Sequence, residues 1–310
     1  MKKLLALFLL TSTVLLGACG KGSEQVAEES QDLQVITTFY PMYEFTKEVV
    51  GDTGKVSLLI PAGTEPHDYE PSAKDMAKIM DADAFVYNSP ELETWVPTMT
   101  DSIDTDKTVV IEAAKEIDLA ENEDHGEAEH GTDAHTHELD PHVWTDPVMA
   151  IKEVETIRDQ LSEKFPTKAA TFKKNAAAYI EQLNALDQEY TAALKDAVNR
   201  TFVTQHAAFG YLAKQYDLVQ ESIAGLSPDQ EPTPSRLAEL KEYVEDHQVK
   251  VIYFEENASS KVAETLANET GVELAVLNPL ESLTEKQISD GESYLTVMKE
   301  NLQALQKSIK

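Results

Sequence analysis

Cysteine is all but missing from this chain: Cys19 is the single one in 310 residues, so no internal disulfide can form. Basic side chains are scarce as well. Lys and Arg number 26 against 56 Asp and Glu, a formal net charge of −30, which makes nucleic acid and anionic membrane poor partners and cations good ones. No HExxH, no GxSxG and no phosphate-binding glycine-rich loop occurs, so the motifs of the common metal-dependent proteases, esterases and nucleotide-binding proteins are absent. The apolar run near the N-terminus is too short and wrongly flanked for a lasting membrane span.

What that terminus does contain is a secretory signal. Residues 1–18 join Lys2 and Lys3 to a short apolar middle and to small residues before a cut site. The order Leu16-Gly17-Ala18-Cys19 resembles the lipobox of bacterial lipoproteins, which implies that Cys19 is lipidated and becomes the first residue after cleavage. The mature protein is then expected on the extracellular face of the bacterial cytoplasmic membrane, held there by lipid. Residues 19–32 form the lipidated N-terminus and a polar stalk without hydrophobic periodicity. Loss of Lys2 and Lys3 takes the formal charge to about −32.

From Leu33 onward, short β-rich runs alternate with amphipathic helical stretches, which predicts an α/β fold with parallel sheets. Strands are expected at 35–39, 56–60, 84–87 and 108–112. Helices are expected at 42–50 behind Pro41, from a Ser72/Asp75 capping box to Met80, and over 92–99. Asp146-Pro147 opens a further helix that Phe165-Pro166 ends. Residues 167–196 contain no glycine or proline, and Phe172, Ala176, Tyr179, Leu183, Leu186, Tyr190, Ala193 and Ala197 recur at steps of four and three. That pattern is one amphipathic helix, roughly 45 Å long. The second half repeats the theme, with strands at 201–205, 218–223, 249–254 and 273–277. Its helices are expected at 206–216, from a Ser235 cap to His247, at 259–270 before Gly271, and from Tyr294 to Ile309. The expected architecture is two Rossmann-like lobes, 33–166 and 198–310, with parallel sheets of about four strands each, joined by one long helix over 167–197.

Histidine is concentrated in one place. Five of the eight, His125, His130, His135, His137 and His142, fall between Asp118 and Asp146 among carboxylates and glycines. The loop at 119–140 has almost no large apolar side chain until Leu139 and cannot fold around a core of its own. An acidic run is usually a solvated linker. Imidazole at this density, beside carboxylates, points instead to cation binding.

Open parallel sheets bind ligands beyond the carboxyl ends of their strands. His67 in GTEPHDYEPS, His142 in LDPHVWTDP, His206 in TQHAAFGY and Glu281 in NPLESL all follow expected strands, two in each lobe. Three imidazoles with one carboxylate suit tetrahedral zinc. Pro66, Pro141 and Pro279 stiffen the loops that carry them. His206 is expected where a strand gives way to a helix, whose positive end would favour the neutral imidazole that a metal requires. Asp68, Glu65 and Asp146 are further candidates, as ligands or as acceptors for an imidazole N–H. His247, late on an exposed-looking helix, reads as an ordinary surface residue.

Together, the lipobox, GTEPHDYEPS, LDPHVWTDP, TQHAAFGYLAKQY and NPLESL resemble the zinc-specific solute-binding lipoproteins of ABC importers, over a stretch from about Leu33 to the C-terminus. The resemblance implies that His67, His142, His206 and Glu281 ligate Zn2+. It implies that His125, His130, His135 and His137 form a mobile zinc-collecting segment, and that a membrane permease with a cytoplasmic ATPase receives the ion. The expected protein is a monomeric binding protein and not an enzyme. Manganese members of that family usually carry Glu where this chain has His206, and lack a long histidine loop. The chain ends at Lys310, short of the extra C-terminal zinc-binding domain of some Gram-positive members, so hand-over between two zinc domains is not expected within it. It also lacks the disulfide of several Gram-negative members, and Pro66 stands where some have an acidic residue.

Three rival readings compete. An extracellular zinc-dependent hydrolase or lyase would use Glu281 as a base, with three histidines on the metal. A manganese-binding relative would use the same cleft. An adhesin would bind host matrix proteins as some members of that family do, although no motif here encodes such a site.

Overall fold

Leu33, Val35 and Thr37 are buried along β1 (Leu33–Thr37) while Gln34 is exposed, the alternation that places one strand face against a core. A computed structural model describes residues 32–122 and 138–309. After β1 come α1 (Tyr40–Val50), β2 (Gly54–Leu58), α2 (Ala73–Asp81), β3 (Ala84–Tyr87), α3 (Val96–Thr100) and β4 (Val109–Glu112). These four strands form one parallel sheet in the order β2-β1-β3-β4, with Val35 opposite both Val56 and Ala84. Gly54 is required at its edge, because a Cβ there would stand 2.5 Å from the Leu33 carbonyl oxygen.

The chain then runs through α4 (Pro147–Lys164) and α5 (Ala169–Leu194) into β5 (Thr201–Thr204), α6 (Gly210–Gln215), β6 (Val219–Ser222), α7 (Pro234–Asp246), β7 (Val251–Phe254), α8 (Lys261–Thr270), β8 (Glu273–Val276), α9 (Glu285–Asp290) and α10 (Tyr294–Ser308). The second sheet is also parallel, ordered β6-β5-β7-β8. Both halves therefore repeat one strand order with its first strand inside, and the expected α/β architecture of two four-stranded parallel sheets is what the chain adopts. Among the described residues no helix is long and apolar enough to cross a membrane.

Helix α5 is buried along its predicted stripe, at Phe172, Ala176, Tyr179, Leu183, Leu186 and Tyr190. Leu194 then replaces Ala193 on the buried side, as a 3.6-residue turn demands when a seven-residue repeat drifts. The core on which it packs is continuous between the halves. Phe45 of α1 meets Tyr294 of α10 edge-on at 4.9 Å and Tyr179 of α5 at 6.2 Å, and the residues from Asp32 onward cluster as one compact unit.

Several boundaries differ from expectation for local reasons. β1 and β2 end two residues early, because the chain bends after Thr37 and Leu58 while Phe39 and Ile60 stay buried. Thr233, not Ser235, caps α7, accepting from the Arg236 N–H at 3.1 Å ahead of Pro234. The α2 capping box is present, with Ser72 and Asp75 satisfying each other's backbone N–H. The stretch before α3 is turn, since Glu93 bends back to accept the N–H groups of Asn88 and Ser89. Helix α9 was not anticipated. Its Thr284/Gln287 capping box and the left-handed Gly291 at its end are standard signals around only six residues.

Candidate metal centre

Every expected donor leaves from the carboxyl end of a strand or from the loop that follows. His67 is in the turn after β2, His142 precedes a 3-10 turn at Val143–Thr145 that leads into α4, His206 follows β5 by two residues, and Glu281 lies in the loop after β8. The fold brings the four together. One ligand atom from each lies within 4.8 Å of all the others. A single oxygen of Glu281, Oε1, stands 3.0 Å from His206 Nε2, 3.2 Å from His142 Nε2 and 3.3 Å from His67 Nε2, and the His67 and His142 Nε2 atoms are 3.2 Å apart. His142 and His206 are fully buried, Glu281 nearly so, and His67 closes the rim.

The loops are held by contacts between residues far apart in sequence. Asn88 Nδ2 donates to the Pro141 carbonyl at 2.9 Å, and Trp144 Nε1 donates to the Pro279 carbonyl at 2.7 Å. Leu280, just before Glu281, has φ +63°, a left-handed conformation that a branched side chain rarely adopts. Its N–H is taken by Asn278 Oδ1 at 2.7 Å, and Asn301 brackets Asn278 on both sides, accepting its N–H at 2.9 Å and donating to its carbonyl at 2.7 Å.

Two carboxylates missed in the sequence orient the buried rings. Asp140 Oδ1 is 2.7 Å from His142 Nδ1 and accepts that residue's backbone N–H at 2.9 Å. Glu255 Oε1 makes a short contact with His206 Nδ1. Such partners set the tautomer and direct Nε2 into the site. Glu255 follows β7 directly, so the strand-exit rule that picked the other donors also covers it. Of the candidates named from sequence, Glu65 accepts the His67 backbone N–H at 3.0 Å with Oε1 4.0 Å from its Nε2, Asp68 is exposed, and Asp146 caps α4 through the Val148 N–H at 2.9 Å.

The electrostatics correct one expectation. α6 begins at Gly210, so His206 is not at a helix N-terminus, and no helix dipole keeps it neutral. Burial by itself would lower its pKa, but the charges of Glu255 and Glu281, one facing each ring nitrogen, hold it well above the usual range. His142 is raised against the same burial by Asp140 and Glu281, whereas burial wins at His67, which is lowered. Glu281 is depressed well below the ordinary carboxylate range despite its burial, chiefly by His206. Burial and the neighbouring charge of Glu281 push Glu65 up to about 8.

Cys19 and the loop histidines His125, His130, His135 and His137 lie outside the described residues. The ends of that loop are paired: Glu121 and Leu139 form an antiparallel bridge, Asn122 N–H donates to the Glu138 carbonyl at 2.9 Å, and Asp140 N–H to the Ala120 carbonyl at 2.8 Å. His247 is exposed and stacks on Tyr243 with centroids 4.1 Å apart, apart from the cluster.

Residues 35–308 match the family model described as zinc-uptake complex component A, periplasmic (ZnuA). The chain belongs to this family. It is 54% identical over 310 residues to the zinc-binding lipoprotein AdcA of Streptococcus pneumoniae, covering 99% of this chain and 61% of that one. With the high-affinity zinc uptake system protein ZnuA of Bacillus subtilis it shares 50% identity over 313 residues, 99% of this chain and 98% of that one. A crystal structure of the Zn(II)-bound ZnuA-like domain of S. pneumoniae AdcA superposes with a TM-score of 0.78 at 54% identity, over 90% of this chain and 99% of that domain. The chain thus spans about three fifths of the AdcA relatives, 61% of their length, and nearly all of this ZnuA relative.

Proposed function

We propose that this chain is the extracytoplasmic zinc-binding component of an ABC importer, closing Zn2+ between its two halves and delivering it to a membrane permease driven by a cytoplasmic ATPase. His67, His142, His206 and Glu281 are the ligands. The observation that carries this reading is the convergence of four donors from four separate loops on one point. Zinc bonded at about 2.0–2.1 Å to tetrahedral donors would set them roughly 3.3 Å apart, and the closest donor pairs here are 3.0 to 3.3 Å apart. Three imidazoles with one carboxylate favour zinc over manganese, which prefers oxygen. Glu281 is as near each ring as two of the rings are to each other, which suits a fourth ligand better than a base acting through a water.

In this reading Cys19 carries the lipid that keeps a monomer at the outer face of the cytoplasmic membrane, 33–166 and 198–310 act as lobes, and 167–197 links them. Residues His125, His130, His135 and His137 collect zinc beside the tight site. Calorimetry on metal-stripped protein tests the ligand set. His67→Ala, His142→Ala and His206→Ala are each expected to weaken zinc binding by more than roughly 100-fold, beyond the loss of a supporting hydrogen bond. Unchanged affinity in all three would end the proposal.

A further inference from the structure

Glu281 is the one carboxylate among the four donors, and its backbone enters the site through a strained turn. Leu280, with φ +63°, is fully buried and has no glycine's freedom. A left-handed leucine persists only where its surroundings fix it on every side. Asn278 and Asn301 supply three of those constraints from within the second half of the chain. The fourth comes from the first half: Trp144 Nε1 donates to the carbonyl of Pro279, two residues before Glu281.

Trp144 is fully buried and is itself fixed on several sides. Its ring meets Phe39 edge-on at 4.7 Å and lies 5.2 Å from the His142 imidazole, and its own carbonyl accepts the Tyr294 hydroxyl at 2.7 Å. An indole has one N–H to give, and here it crosses between the halves to the turn that aims the carboxylate. Its side chain touches none of the four donor atoms through a hydrogen bond. We infer that Trp144 is a positioning residue for Glu281: its indole N–H keeps the Asn278–Glu281 turn at the height of the three imidazoles, so that the carboxylate closes over a bound cation only while the two halves are in register. This inference rests on the metal-binding reading of the site and adds to it the means by which one half sets the ligand of the other.

Trp144→Phe removes the N–H and keeps an aromatic ring against Phe39 and His142. Zinc release into excess chelator is measured by stopped flow for the full chain, Trp144→Phe, Glu281→Ala and the double variant, with thermal denaturation of each as the check on folding. The expected result is release about tenfold faster for Trp144→Phe, the scale of a lost supporting partner, and less than a twofold further change when it is added to Glu281→Ala, because the effect passes through that carboxylate. Unchanged release in Trp144→Phe, or the same tenfold acceleration in the Glu281→Ala background, overturns the inference. Should Trp144→Phe not fold, hydrogen exchange of the Trp144 indole N–H decides: it is expected to slow at least tenfold when the wild-type chain is loaded with zinc, and equal rates in the two forms overturn the proposal. A wild-type chain that takes up no zinc would sink the metal-binding reading itself, a separate outcome from either of these.

Discussion

Asp140 meets His142 twice through one oxygen, at the ring Nδ1 (2.7 Å) and at the backbone N–H (2.9 Å), so ring orientation and main-chain path are set by a single carboxylate. Glu255 does the ring half of this task for His206. Asp140→Asn and Glu255→Gln keep the shape but remove the charge that makes each imidazole a better donor. Each is expected to weaken zinc affinity by roughly 10–100-fold in chelator competition. Affinity within twofold of wild type would show that the rings are oriented without them.

Glu153 on α4 is fully buried, and among the described residues neither of its carboxylate oxygens has a hydrogen-bond partner. Burial holds its pKa well above the carboxylate range, with the charge of Glu93 adding to it. Burial likewise lifts Glu93 and Asp146 to about 7, against the hydrogen bonds that each accepts. In each case the folded chain keeps a proton that the unfolded chain releases. The stability tied to that proton is complete below about pH 4 and is lost as the pH rises through 7 and beyond. The melting temperature of the metal-free protein should therefore fall between pH 5 and pH 8.5, and Glu153→Gln should make the decline shallower. A decline of equal slope in the variant would mean that Glu153 ionises without cost.

The paired ends of the histidine loop offer a clean excision. Asn122 and Glu138 are hydrogen-bonded neighbours, so removing residues 123–137 and joining those two by a short glycine turn preserves the bridge that leads into Asp140 and His142. Calorimetry of the shortened chain should retain one tight zinc site and lose the weaker uptake. Loss of the tight site would make the loop the primary binding segment.

Two substitutions act as controls on fold and specificity. Ser72→Ala removes one arm of the α2 capping box and should cost about 1 kcal/mol in denaturant unfolding without altering zinc affinity. His247→Ala removes only an exposed ring stacked on Tyr243 and should change neither quantity measurably. A drop in zinc affinity for His247→Ala would reveal a ligand outside the four.

Much of the fold was legible because its signals are local. The alternation in β1, the unbroken stripe of α5 and the Ser72 box each depend on residues within one or two turns of one another, so composition and spacing alone report them. α6 shows the limit: β5 and α6 are separated by a bend whose residues are as apolar as a helix start, and only the coordinates reveal that His206 belongs to the bend. Strand ends blurred by two residues for a similar reason, since the chain bends after Thr37 and Leu58 while burial continues at Phe39 and Ile60.

By itself the sequence determined the class of fold and the acidic character and singled out four candidate donors, because strand exits and donor chemistry are written in short runs of residues. Only the tertiary structure decided that the donors share one point, that Asp140 and Glu255 govern the two buried rings, and that Trp144 reaches Pro279. His206 and Glu255 are 49 positions apart and Trp144 and Pro279 are 135 apart. Contacts at such separations follow from how two sheets pack on a common core, and no periodicity along the chain encodes that distance.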